Sequence, residues 1–187
     1  MYFSCIFGEV NKNNIKRRSA AIPGDVICVT DFLGDSAAGL KLQKAKTQNA
    51  LEKKLVAIHH RPRPHLEEAQ WLSQFKEVHA MMDVSDGIAS DIKHICDQSK
   101  VGARIFSGEI PISPTLREIG AKRHWNIGEL AMAGGEDYCL LLTIPKESFV
   151  NLNNGFKTQF GRNLYAIGEI TPGRKITGLS GKPFSHF

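Results

Sequence analysis

Residues 80–97 read Ala80-Met81-Met82-Asp83-Val84-Ser85-Asp86-Gly87-Ile88-Ala89-Ser90-Asp91-Ile92-Lys93-His94-Ile95-Cys96-Asp97. The first part alternates, with Met82 and Val84 to one side and Asp83 and Ser85 to the other, as in a short strand. Asp86-Gly87 breaks the alternation with a turn. After it, Ile88, Ile92 and Ile95 recur at helical spacing, with Ala89 and Cys96 on the same face. The stretch therefore reads strand, tight turn, helix.

That order has chemical consequences. Asp83 and Ser85 share one strand face near its end, and Asp86 stands at the helix start, where it can cap free N–H groups. Hard oxygens beside the positive end of a helix suit Mg²⁺ carrying the phosphates of a nucleotide. The same residues also fit a solvated turn with an ordinary cap. Spacing alone favours the solvated turn.

The chain has 187 residues, enough for one good core or for one domain plus a fragment. Hydrophobic residues make up 42% and charged residues 23%, which places it among soluble globular proteins. Cys5, Cys28, Cys96 and Cys139 have no paired spacing, which points to reduced thiols and a cytoplasmic location. No apolar run approaches a membrane span, and residues 1–10 lack a signal-peptide pattern. The net charge of +5 comes partly from residues 12–18 and partly from Lys53, Lys54, Arg61 and Arg63. These basic residues are spread out and not interleaved with aromatics, which argues against nucleic acid and for a solvated face or phosphorylated small molecules.

In chain order, residues 2–10 read as a strand and residues 11–18 as a polar loop. Pro23-Gly24 turns into a second strand over residues 26–30, and Gly34-Asp35-Ser36 opens a helix with Asp35 or Ser36 as cap. A helix over residues 51–58 leads into His59-His60-Arg61-Pro62-Arg63-Pro64-His65. Three nearby histidines invite a metal, but the prolines hold the chain extended, so the histidines need not converge and the stretch reads as a structural link. An amphipathic helix over residues 66–76 carries Leu66, Ala69, Leu72 and Phe75. Beyond the central helix comes a strand over 101–106. Ser113-Pro114 then starts a helix to about 121, and a short helix over 126–133 stops at Gly134-Gly135. Residues 146–160 form a helix-loop element, 165–170 a strand, 171–173 a turn and 175–179 a returning strand.

Several motifs, in order, resemble those of thiamine-monophosphate kinase, a family related to aminoimidazole ribonucleotide synthetase. Met82-Asp83-Val84-Ser85-Asp86-Gly87-Ile88 resembles the family's Ile-Asp-Ile-Ser-Asp-Gly-Leu. Arg18-Ser19 through Pro23-Gly24-Asp25, followed by Gly34-Asp35-Ser36-Ala37-Ala38-Gly39-Leu40, resembles its Arg-Ser-Gly-Ala-Lys-Pro-Gly-Asp and Gly-Asp-Ser-Ala-Ala-Gly-Leu. Ala20 and Ile22 depart from the pattern. Gly134-Gly135-Glu136-Asp137-Tyr138 resembles its Gly-Gly-Glu-Asp-Tyr, with Cys139 where the family often has Glu. The last residues resemble its Gly-aromatic-x-His-Phe ending, with Lys182-Pro183 inserted.

The resemblance implies an α+β fold, a mixed or antiparallel sheet with helices packed on one face. It implies residues 1–22 as the remnant of an N-terminal domain and 23–187 as a C-terminal ATP- and substrate-binding domain. It implies phosphorylation of thiamine monophosphate by ATP, with Mg²⁺, to thiamine diphosphate. Asp83 and Asp86 would bind Mg²⁺, Ser85 and Arg18 would contact ATP, and Glu136 and Phe184 would hold the substrate, with Phe187 as the alternative aromatic. Asp91 would support the turn. Nucleic acid and membrane are not expected partners; a homodimer is the family's assembly. The family's N-terminal domain supplies most of the metal ligands, and no Gly-Asp-Asp-Ala motif precedes Asp25. The chain alone is therefore expected to be nearly inactive, with an exposed apolar surface centred on residues 2–7. Two other readings stay open: a different ATP-dependent synthetase of the superfamily, and a non-catalytic ligand-binding module derived from the kinase.

Overall fold

The computed structural model describes residues 5, 8–45 and 49–179. Its centre is a mixed sheet of six strands: β1 (Asp25–Val29), β2 (Met81–Asp83), β3 (Gly102–Ile105), β4 (Leu140–Pro145), β5 (Tyr165–Thr171) and β6 (Ile176–Thr177). Their spatial order is β2-β4-β1-β5-β3-β6. Every pairing is antiparallel except β3 with β6, which run parallel. Seven α-helices are described: α1 (Asp35–Leu42), α2 (Ala50–His60), α3 (Leu66–Ser73), α4 (Ile88–Ser99), α5 (Pro114–Arg123), α6 (Ile127–Ala133) and α7 (Phe149–Phe160).

The α+β class and the mixed sheet agree with the sequence. The helical cover extends beyond the single face expected. Ile27 and Val29 of β1 and Leu141 of β4 join Ile88, Ile92 and Ile95 of α4 and Met132 of α6 in one apolar cluster. Cys28, Leu140, Leu142 and Ile144 face the other way and pack with Leu72 of α3 and Leu152 and Phe156 of α7. A strand buried on both faces reads as a continuous apolar run, which is what Leu140-Leu141-Leu142 shows. Each fully buried isoleucine or leucine contributes about 1.5–3 kcal/mol relative to exposure. A third cluster joins α1, α2 and α5 through Leu42, Leu55, Leu116 and Ile119.

Several local expectations change. Gly8, Glu9 and Val10 form no strand, and residues 2–4, 6 and 7 lie outside the described residues, as does the apolar surface expected there. Helix α2 runs on through His59 and His60, so these two are helical and only His65 follows the Pro62–Pro64 link. Helix α3 stops at Ser73, and its Leu66 is exposed. Residues 176–177 do not return beside β5; they pair with β3. The Ser113 cap and Pro114 start of α5 are as expected, with Ser113 Oγ accepting the Leu116 N–H at 3.0 Å.

Candidate active site

Two of the sequence motifs meet backbone to backbone. Val84 N–H donates to Cys139 O at 2.8 Å, Tyr138 N–H to Val84 O at 2.9 Å, and Glu136 N–H to Ser85 O at 2.8 Å. Glycine is needed for this approach. A Cβ on Gly135 would stand 2.5 Å from Ser85 O. One on Gly87, whose φ is +92°, would stand 2.7 Å from Gly134 O. Glu136 and Tyr138 are themselves left-handed, at φ 65° and 51°. Such conformations are uncommon in non-glycine residues and persist where surrounding structure holds them.

The cap residue of helix α4 is Gly87, which has no side chain to bond the first turn. Asp86 is therefore not the cap the sequence suggested; it stands one residue earlier, half-buried. Asp91 fastens the turn instead. Its Oδ2 accepts the N–H groups of Ser85 at 3.0 Å and Asp86 at 3.1 Å. Burial pushes the Asp91 carboxyl up to about 6. The neighbouring Asp86 and Asp83 charges add to this, and the Asp86 and Ser85 N–H groups act against it. Asp83, on the edge strand β2, is exposed.

The third motif joins through Asp137. Its Oδ2 accepts Gly34 N–H at 2.8 Å and its Oδ1 accepts Ser36 N–H at 3.4 Å. So α1 is capped from a hundred residues away. Asp35 instead accepts a bond from Ser113 Oγ at 2.6 Å, and Ser36 Oγ lies 3.0 Å from His59 Nδ1. Desolvation drives the Asp137 carboxyl up to about 8. The two N–H bonds oppose it, and the Asp35 and Asp31 charges reinforce it. His59 Nδ1 also lies 3.3 Å from Glu136 Oε2, bridging α1 to the Gly-Gly-Glu loop. Neither the Asp137 cap nor the His59 bridge has a local sequence signal, because each depends on residues distant in the chain.

Beside this junction lies a cavity of about 430 Å³, lined by Asp31, Asp35, Lys54, Arg63, His65 and Asp137 among others. Beneath it Arg162 pairs with Asp31 at 2.8 Å and with Glu68, while Thr30 Oγ1 and His65 Nδ1 stand 2.8 Å apart. Burial, then the Arg162 charge, lowers the His65 pKa and favours the neutral ring. Glu136 itself lies next to a smaller recess with Ala37, Leu40 and His59.

Of the residues singled out in the sequence, Asp83, Ser85, Asp86 and Glu136 fall together at this junction. Arg18 does not. Its carbonyl accepts Ser99 Oγ at 2.7 Å, which ties it to the last residue of α4. A 12-residue helix puts that end about 18 Å from Asp86. Phe184 and Phe187 lie outside the described residues. The donor set at the turn suits a divalent cation. It offers two carboxylates, Asp83 and Asp86, and beside them Asp91 Oδ1, buried without a hydrogen-bond partner.

Comparison with known proteins gives the family. The thiamine-monophosphate kinase of Aquifex aeolicus is 34% identical over 171 residues, 89% of this chain and 54% of the relative. The crystal structure of thiamine-monophosphate kinase from Stenotrophomonas maltophilia superposes with a TM-score of 0.80 at 31% identity. It covers 89% of this chain and 54% of that one. AaThiL complexed with AMPPCP and TMP gives 0.78 at 31% identity, over 91% of this chain and 53% of that one. The chain thus spans about half the length of the curated relatives it matches. Residues 23–179 match the family described as AIR synthase related protein, C-terminal domain, and the chain belongs to that family.

Proposed function

We propose that this chain serves a thiamine-monophosphate kinase, transferring the terminal phosphoryl group of ATP to the phosphate of thiamine monophosphate, with thiamine diphosphate and ADP as products. The observation that carries the reading is the backbone junction where Glu136 N–H donates to Ser85 O. It sets the oxygen-rich turn for the nucleotide within one residue of the carboxylate proposed for the thiamine moiety. The relatives of about 31–34% identity, one of them complexed with AMPPCP and TMP, support it.

In this reading the nucleophile is a phosphate oxygen of the substrate, so no side chain needs to be activated for attack. Catalysis is then positioning and charge neutralisation. Asp83 and Asp86 would hold Mg²⁺, which neutralises charge on the phosphates when bound. Ser85 donates to a phosphate oxygen at the positive end of α4. Arg18 contacts ATP only if the nucleotide, or a movement of the Arg18 segment, spans the distance along α4. Glu136 would face the cationic thiamine moiety, and Phe184, or Phe187 as the alternative, would stack on its pyrimidine. The left-handed backbone of Glu136 sets the direction of its Cα–Cβ bond, and His59 Nδ1 stands 3.3 Å from its carboxylate. The reading places the enzyme in the cytoplasm as a homodimer. It divides the chain at residue 22, residues 1–22 belonging with an N-terminal domain that contributes most metal ligands. It also keeps the 187-residue chain nearly inactive by itself.

Calorimetric titration with thiamine monophosphate, with and without Mg²⁺ and ATP, tests this beside an assay for thiamine diphosphate. Binding that Glu136→Ala abolishes, with little turnover, is the expected result. No binding of either ligand, or binding indifferent to Glu136, would refute the site assignment. Full turnover by this chain alone would refute its dependence on a second domain.

A further inference from the structure

One cluster beside the turn combines two residues without a ligand role in the proposed reaction, Asp91 and His94, with Asp86, which that reaction assigns to Mg²⁺. Asp86, Asp91 and His94 each offer one ligand atom, and the three atoms lie within 4.8 Å of one another. Asp91 and His94 stand three residues apart on α4, on one helix face. Asp86 approaches from the turn that precedes Gly87.

Asp91 makes this more than a gathering of acids. Its side chain is fully buried at 0% exposure. Both of its backbone bonds fall on Oδ2. Oδ1 has no hydrogen-bond partner. A buried carboxylate oxygen without a donor is costly and calls for an explanation. A cation beside it would supply one.

We propose that Asp86, Asp91 and His94 form a mixed oxygen–nitrogen site for a borderline divalent cation, Zn²⁺ in the first instance. The imidazole sets it apart from the all-oxygen Mg²⁺ set of Asp83 and Asp86. Mg²⁺ takes hard oxygen ligands, whereas imidazole suits Zn²⁺ and its neighbours. Three protein ligands leave a fourth tetrahedral position open to water or to a phosphate oxygen. Ligand atoms around such an ion stand about 3.4 Å apart, given bonds of about 2.0–2.1 Å. The cluster, now within 4.8 Å, must therefore close by up to about 1.4 Å. His94 is exposed and Asp86 half-buried, so rotation of these two side chains onto a fixed Asp91 accomplishes it.

The test uses the full chain without nucleotide and follows Zn²⁺ by competition with a chromophoric chelator. One Zn²⁺ per chain is expected, together with a shift of the His94 imidazole resonances. His94→Gln should weaken binding about tenfold or more. Asp83→Asn should leave it unchanged. Asp91→Asn should weaken it as well; if that variant unfolds, His94→Gln at an exposed position keeps the test decisive. Equal Zn²⁺ affinity in His94→Gln and the unaltered chain would overturn the proposal. So would a loss in Asp83→Asn as large as in His94→Gln. The Mg²⁺ assignment fails separately, by undiminished Mg²⁺-dependent nucleotide binding in Asp83→Asn, and that result leaves the Zn²⁺ titration untouched.

Discussion

Asp91 and Asp137 are a matched pair with opposite outcomes. Each is a carboxylate beside a functional motif, and each accepts two backbone N–H groups. Asp137 uses both oxygens, one for Gly34 and one for Ser36, and joins segments more than a hundred residues apart. Asp91 uses only Oδ2, for two residues five and six positions away, and leaves Oδ1 buried and unpartnered. The first is a structural cap. The second holds the turn and still has coordination capacity. The type of residue and its place in the motif do not tell the two apart; the use of each oxygen does.

The largest expected effect removes the geometry both carboxylates serve. Gly87→Ala would place a Cβ 2.7 Å from Gly134 O at a left-handed φ of +92°. A loss of roughly 2–5 kcal/mol in urea unfolding is expected. A loss under about 1 kcal/mol would mean that the two loops are not held as closely as described.

Next comes the cap. Asp137→Ala should cost about 1–2 kcal/mol, read in the same experiment, because it leaves the N–H groups of the cap residue Gly34 and of Ser36 in the first turn of α1 without this acceptor. Asp137→Asn keeps one acceptor oxygen and should recover part of that. If the alanine and asparagine variants are equally unstable, the cap is not what matters at this position.

A pH series sharpens the pair further. Both carboxyls lie above the ordinary value of about 3.9, Asp91 at about 6 and Asp137 at about 8. The folded chain then binds more protons than the unfolded chain between those limits, so stability falls as pH rises. The Asp91 contribution is lost between about pH 4 and 6. The Asp137 contribution goes on being lost to about pH 8. Asp137→Asn should flatten the melting temperature between pH 6 and 8 relative to the unaltered chain. A stability that rises over that range in the unaltered chain and not in the variant would contradict the direction of the shift.

The smallest effect concerns the far end of α4. Ser99→Ala frees the Arg18 carbonyl and the Ala21 N–H, at about 1 kcal/mol or less. It should leave Zn²⁺ binding at Asp86 and His94 unchanged, since Ser99 stands about 18 Å along the helix from Asp86 and about 7.5 Å from His94, and its hydroxyl bonds to Arg18 and Ala21.

Much of this was legible in the sequence where the signal is local. Alternation through Asp83 and Ser85, then three isoleucines at helical spacing, fix β2, the turn and α4. Ser113-Pro114 fixes the start of α5. What escaped depends on distant partners. The parallel pairing of residues 176–177 with β3 cannot be read from the turn before them. The second helical layer was hinted at by Leu140-Leu141-Leu142 in β4, consecutive apolar residues that face both sides of the sheet. His59 looked like part of an extended link because prolines follow it, yet α2 continues through it and carries it to Ser36 and Glu136. Within the candidate site, Ser85 and Glu136 were recognisable by motif, but their direct backbone contact was not.

The most direct measurement follows the Ser85 and Glu136 backbone amides of the ¹⁵N-labelled full chain while thiamine monophosphate and Mg²⁺ with AMPPCP are added separately. Because the Glu136 N–H is bonded to Ser85 O, either ligand alone should move both resonances. Thiamine monophosphate shifting Glu136 with Ser85 unmoved, or neither ligand shifting either amide, would contradict a single site built from the two motifs.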